Sequence, residues 1–357
     1  MNVIATRARR LAVIALALVG LVALAACGSD SGSSGSASAS SGDSGSSSSD
    51  SGATKDLTVG VFGALSDAGL YIAQDKGYFR DEGLNVKFVP TGTAEQVISV
   101  LAAGKVDAAG TAPTPGLFNA IQRGVNVKIL SDKGQVGPGY NWVALVVRRD
   151  EADSGAIRDI ADLKGKKVAL PGNGTSTAAE FSDLLRTRGL TLRDVTIQAG
   201  NPADALVALA NRAVDAAVLQ EPFITLARLR GVGVNMAGLG DTSPSGENGV
   251  IAISEKLVSD PTTTRKLMDA YLRGVADYNA AFPRGGGRGT GTDEIVSILS
   301  RNTPVRGADL YAQMQPVLFP SDGTVNTASI DAFQQNFKDQ GLQTEIVPSS
   351  DYLYQAR

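Results

Sequence analysis

The chain has 357 residues, 33 basic against 36 acidic, one cysteine and no histidine. Without histidine there can be no His-based metal site, Ser-His-Asp triad or Cys-His dyad, and one cysteine cannot form an internal disulfide. With a formal charge of −3 and no Lys/Arg cluster after the first ten residues, nucleic acid is not an expected partner.

Arg7, Arg9 and Arg10 precede an apolar run from Leu11 to Ala26, and Leu24-Ala25-Ala26-Cys27 resembles the lipobox of bacterial lipoproteins. The run falls short of the ~20 residues that cross a bilayer, and small residues before a cleavage point mark a secretory leader. Residues 1–26 are therefore expected to be a lipoprotein signal peptide and Cys27 the lipidation site. More than one acyl chain would hold the mature protein stably on the outer face of the cell membrane. Residues 27–54 carry the lipidated cysteine and a Ser/Gly-rich leash, from Gly28 to Ala53, with no large apolar residue to build a core. A flexible coil of that length spans about 25–30 Å r.m.s..

The remainder is long enough for two domains, and it contains a domain-scale repeat. Gly92-Thr93-Ala94-Glu95-Gln96-Val97-Ile98-Ser99-Val100-Leu101, running on to Val106-Asp107-Ala108-Ala109, reappears from Gly200 to Leu209 and then as Val214-Asp215-Ala216-Ala217. Upstream, Val59-Gly60-Val61-Phe62-Gly63 matches Val168-Ala169-Leu170-Pro171-Gly172. In the first copy Leu57–Phe62 reads as a strand, Leu70–Phe79 as a helix closing near Gly77 and Gly83, and Val86–Val89 as a strand. Val97, Ile98 and Leu101 lie on one helical face before a strand at Val106–Ala109. Alternating strands and helices imply parallel βαβ units, hence an α/β protein of two lobes.

Ligands of open α/β sheets bind outside the carboxyl ends of the strands. The repeat therefore nominates residues 63–69, 90–95 and 110–115 from one lobe and 171–177, 199–204 and 219–223 from the other. Trp142–Val147 and Gly249–Ile253, both extended and apolar, are expected to cross between lobes as a hinge. The expected division is 55–146 plus 249–357 for lobe 1 and 147–248 for lobe 2.

Tyr71-Ile72-Ala73, Gly77-Tyr78-Phe79, Glu82-Gly83-Leu84, Leu101-Ala102-Ala103-Gly104, Asp162-Leu163-Lys164-Gly165-Lys166-Lys167-Val168 and Glu221-Pro222-Phe223, in this order and spacing, resemble the solute-binding proteins of ABC importers for nitrate, taurine, alkanesulfonates and thiamin-pyrimidine precursors. The resemblance covers roughly Lys55 to Tyr278. It implies a type II periplasmic-binding fold with two α/β lobes joined by two crossing strands, closure over a small-molecule solute, and delivery to a permease with a cytoplasmic ATPase. A monomer without cofactor or metal is expected. The chain departs from the pattern at Gln220, where many members carry an aromatic residue. A thiamin-pyrimidine synthase activity, which in that branch depends on histidine and a cysteine-rich motif, is not expected here. A tethered sensor without import is the other reading.

Pro171-Gly172-Asn173-Gly174-Thr175-Ser176-Thr177 opens a helix whose amides and dipole would favour an anion. Asn173, Gly174, Thr175 and Ser176 are assigned to the ligand, while Thr177 with Glu180 fits a capping box. In the first lobe Leu65, Ser66 and Asp67 are candidates, although Ser66 or Asp67 could simply cap the next helix. Gly92 and Thr93 sit at another helix start, where Thr93 is an N-cap or a ligand contact; Pro113 and Thr114 open the next helix, and all four are assigned to the ligand. Trp142 is a core residue or an aromatic wall of the cleft. Gln220 and Glu221 end a strand and are candidate ligand residues; Glu221 could bind an amine or ring nitrogen or pair with an arginine at the hinge, the pairing being preferred. None of these loops contains Lys or Arg, so an organic solute, a sulfonate- or taurine-like anion foremost, is favoured over bare nitrate. Gly285-Gly286-Gly287-Arg288-Gly289 follows a helix and lacks the Lys-Ser/Thr of a phosphate loop, so it reads as a surface loop.

Overall fold

The computed structural model describes residues 54–242, 246–284 and 287–355. The leader, Cys27, the leash up to Ala53, and Gly285 and Gly286 lie outside the described residues. Among the described residues no helix is long and apolar enough to cross a membrane.

The first sheet is built from β1 (Lys55–Val61), β2 (Leu84–Pro90), β3 (Ala108–Thr111) and β4 (Lys128–Asp132). Leu57, Val59 and Val61 are buried in β1, and the strands are linked by helices, as parallel pairing requires. These are α1 (Ala68–Asp75), α2 (Tyr78–Asp81), α3 (Ala94–Ala102) and α4 (Pro115–Gln122). The single helix expected over Leu70–Phe79 is two, broken at Gly77, whose φ of +80° suits glycine.

The second half repeats the plan. After β5 (Gln135–Val136) and β6 (Val143–Arg148) come β7 (Lys167–Leu170), α5 (Ser176–Arg186), β8 (Thr196–Ala199), α6 (Pro202–Ala210), β9 (Ala216–Gln220), α7 (Phe223–Leu229) and β10 (Gly233–Gly238). The chain returns through β11 (Gly246–Glu247) and β12 (Val250–Ile253), then the long α8 (Pro261–Ala281) and, further on, α9 (Thr327–Asp339).

Strand order is β2-β1-β3-β12-β4 in one sheet and β8-β7-β9-β6-β10 in the other. In each, the first three strands are parallel and the fourth is antiparallel to the third. The register repeats as well, Val59 and Gly60 facing Ala108 and Ala109 as Val168 and Ala169 face Ala216 and Ala217. The repeated aspartate explains itself in this light. Asp107 accepts from the Thr58 amide (2.7 Å) and Lys256 Nζ (2.7 Å), and Asp215 from the Lys167 amide (2.9 Å) and Arg148 Nη1 (3.1 Å). Each carboxylate ties the entry of its central strand to a cation on or just beyond the antiparallel strand, at the end away from the nominated loops.

The crossings differ from expectation in position. Trp142–Val147 and Gly249–Ile253 fall largely in β6 and β12, strands of the two sheets themselves. The chain changes sheet between Asp132 and Val143 and again between Gly238 and Val250, and β5 and β11 pair there as a two-stranded antiparallel ribbon. Each fourth strand thus belongs to the sheet opposite the one the chain has just left. α8 closes over α1: a Cβ on Gly274 would lie 2.1 Å from the Gly69 carbonyl oxygen, so the two backbones touch.

Candidate functional site

Both sets of strand-end loops converge on the β5–β11 ribbon. The Asn248 amide bonds Gly134 O (3.1 Å), the Lys133 amide bonds Gly249 O (2.8 Å), and the Glu221 amide bonds Trp142 O (2.8 Å). The halves also meet at the loop tips, where a Cβ on Gly174 would come within 3.2 Å of the Pro115 ring. Two of the nominated loops, 110–115 and 171–177, therefore meet across the halves.

In the second half the helix starts two residues before its expected place. Thr175, not Thr177, is the N-cap of α5: its Oγ1 accepts from the Ala178 amide (3.1 Å) and donates to Gly172 O (2.9 Å). Ser176 donates to Asn248 O (2.9 Å). The box of Thr177 with Glu180 does not form, because both turn to Asn248, whose Nδ2 donates to Thr177 Oγ1 (3.3 Å) and Glu180 Oε2 (3.0 Å). Gln220 Nε2 completes the set on Asn248 Oδ1 (3.0 Å). Thr175 and Ser176, expected to face the ligand, are buried with their hydroxyls engaged inside the protein. Asn173 is exposed at the loop tip. Asn248 went unnominated because nothing in the sequence around it carries a motif.

In the first half Leu65, Ser66 and Asp67 are buried. Asp67 Oδ2 accepts from the amides of Phe62 (2.9 Å) and Ala64 (3.1 Å), and Oδ1 from Lys133 Nζ (2.8 Å), which also donates to Ser66 Oγ (2.9 Å). The lysine is fully enclosed, 1% exposed, and its ammonium lies 5.6 Å from the centre of the half-exposed Phe62 ring. A Cβ on Gly110 would be 2.6 Å from Lys133 Cε, so the stem runs directly over the end of β3. Burial, and next the charge of Asp67, push the Tyr71 hydroxyl well above its ordinary range. The loops themselves hold no cation, but this one enters from the crossing segment just past β4, where loop-by-loop reading misses it.

Thr93 is an N-cap in a box with Gln96: Gln96 Oε1 accepts from the Thr93 amide at 3.0 Å, and Gly92 and Thr93 are exposed. Thr114 caps α4, accepting from the Leu117 amide (3.3 Å), and both it and Pro113 are buried. Trp142 is a core residue, its Nε1 donating to Gln135 O (2.7 Å). Among the described residues Glu221 does not pair with an arginine. It accepts from the Thr225 amide (3.1 Å), Thr225 Oγ1 (3.0 Å) and the Gln315 amide (3.3 Å), and burial pushes its carboxyl up to about 7.

Further carboxyls are buried around the ribbon. Burial raises the carboxyl of Asp132, to about 7, and that of Glu247, well above the carboxylate range, the negative charge of Asp132 adding to the rise at Glu247. Burial pushes Glu180 up to about 8. Among the described residues no group of three or more His, Cys, Asp or Glu side chains is placed to hold a metal. A cavity of about 80 Å³ lined by Phe282, Arg288, Tyr311 and Met314 involves none of the nominated loops.

The family described as NMT1/THI5 like matches residues 66–283. A putative aliphatic sulfonates-binding protein of Bacillus subtilis is 30% identical over 180 residues, 49% of this chain and 51% of that protein. A 4-amino-5-hydroxymethyl-2-methylpyrimidine phosphate synthase of Aspergillus parasiticus is 29% identical over 129 residues, 36% of this chain and 35% of that one. The chain thus spans about half, or less, of the length of these curated relatives. Among solved structures, the alkanesulfonate-binding protein of Xanthomonas axonopodis pv. citri bound to MOPS aligns at a TM-score of 0.63 and 22% identity, covering 85% of this chain and 97% of that one. The likeness is one of fold, the two-lobed α/β architecture of periplasmic binding proteins.

Proposed function

The chain belongs to the NMT1/THI5-like family, and from that premise we propose that it is an extracytoplasmic solute-binding lipoprotein that captures a small organic molecule between two lobes and hands it to an ABC import permease. The observation that carries this reading is the convergence of two repeated sets of strand-end loops on a two-stranded ribbon, with Gly174 seated against Pro115. A ribbon that thin is the natural place for two lobes to rotate, and a solute held between them would be shielded from water.

Sulfonates are the class that the names of the relatives support, and the proposal extends to taurine-like aminosulfonates. A thiamin-pyrimidine-type heterocycle is a second reading, favoured by the half-exposed ring of Phe62 at the end of β1. The lipid anchor at Cys27, the monomeric state and the lobe limits are part of the proposal. Binding without chemistry is favoured by the absence of histidine from the whole chain.

The test is a thermal-shift screen of the purified protein against alkanesulfonates, taurine, aromatic acids and pyrimidines, followed by calorimetry on any hit. A saturable shift from one of these classes is expected. A flat response to every class would refute capture of solutes of this kind.

A further inference from the structure

Lys133 is the cation that comes closest to the strand-end loops of the first lobe, and it is already occupied. Its ammonium is held by Asp67 Oδ1 at 2.8 Å and Ser66 Oγ at 2.9 Å, with both charged side chains essentially inaccessible to solvent. The other oxygen of Asp67 takes two backbone amides, those of Phe62 and Ala64. Amides and a lysine gathered around one carboxylate are the donor set that an anionic solute would need, and here they are filled from within the chain. The remaining ionisable residues of the six loops are Glu95, Asp204 and Glu221, all acids.

Resting on the solute-binding reading above, we propose that Asp67 is a built-in anion that sets the charge specificity of the site. By neutralising Lys133 it excludes solutes with net negative charge, simple alkanesulfonates among them, and narrows the solute class proposed above to zwitterions of the taurine kind or neutral heterocycles. Bringing a sulfonate beside an intact Asp67 would bury two like charges against one ammonium, an arrangement that a low-dielectric site penalises heavily. Asp67 is a specificity residue by this argument, acting through Lys133 and not by touching the solute.

The test compares two probes of nearly equal shape and unequal charge, ethanesulfonate and ethanesulfonamide, by calorimetry on the wild-type protein, Asp67→Asn and the double variant Asp67→Asn/Lys133→Gln. The wild type should bind the sulfonate no better than the sulfonamide. Asp67→Asn, which frees the ammonium, should shift the preference towards the sulfonate by tenfold or more, and the double variant should abolish that gain. Asp67→Ser, judged by the same criterion, serves if the asparagine variant does not fold. Wild-type preference for the sulfonate, or no gain in either Asp67 variant, overturns the proposal. The two readings fail separately. A wild type that binds nothing in the solute screen refutes solute capture, while a sulfonate site appearing only when Asp67 is removed would still establish its role.

Discussion

Glu180 offers a direct measure of what the buried carboxyls cost. It lies fully buried in the first turns of α5, with Oε2 accepting from Asn248 Nδ2 and Oε1 without a hydrogen-bond partner among the described residues. Burial lifts its folded-state pKa from an ordinary 4.5 to about 8, so the folded protein binds a proton that the unfolded chain has already released. Stability from this group is therefore fully present below about pH 4.5 and is lost as pH rises through about 8. At ~1.4 kcal/mol per pH unit the loss by pH 9 is on the order of 4–5 kcal/mol as an upper bound, and relaxation with water entry brings the net to about 2–3 kcal/mol. Glu180→Gln keeps the shape and the acceptor for Asn248 but cannot ionise. The variant should match the wild type at pH 5 and melt higher at pH 9, by about 4–6 °C at roughly 2 °C per kcal/mol. Asp132, Glu221 and Glu247 titrate in the same direction in both proteins, so their contribution cancels in the comparison. Thermal unfolding across pH 5–9 decides the matter. An equal melting difference at both ends of the range, or a variant less stable at pH 9, would show that Glu180 is not held neutral by burial.

Cys27→Ser should abolish lipid modification, seen as loss of the acyl mass, and leave thermal stability unchanged, because residues 28–53 contain no large apolar residue that could join a core. With a solute identified by screening, small-angle scattering should show the radius of gyration falling on saturation as the lobes close about the ribbon; an unchanged profile would count against hinge closure. Gly274→Ala should destabilise by about 3 kcal/mol or more, since its methyl would meet the backbone of α1 at Gly69 with no flexible side chain to give way; a denaturant midpoint within error of wild type would contradict the packing described.

The architecture was legible because it was written twice. Matching strands and helices at nearly the same spacing, closed by the same Val-Asp-Ala-Ala, determined two parallel α/β units and put their carboxyl-end loops on one face of each. Local pattern suffices for this, since burial of one face imposes the period of a strand or helix whatever it packs against. The positions of the crossings were less legible. Apolar extended runs at Trp142–Val147 and Gly249–Ile253 were rightly strands, but strand character does not say which sheet receives them.

Only the tertiary structure decided how the site is wired. Three consecutive hydroxyl residues, Thr175, Ser176 and Thr177, could each have capped the same helix. Thr175 took the role because Ser176, Thr177 and Glu180 turn instead to Asn248, about seventy residues away in the chain. Likewise Asp67 looked like a free cap or ligand group until Lys133, 66 residues on, reached it over Gly110. Hydrogen bonds and ion pairs of this range form where two crossing segments happen to bring side chains together, and partners so distant share no periodicity that a linear reading could detect. What the sequence determined was where the loops would lie; which of their polar groups stay unpartnered was settled by side chains arriving from the segments that cross between the sheets, because a buried donor or acceptor must find a partner wherever the fold supplies one.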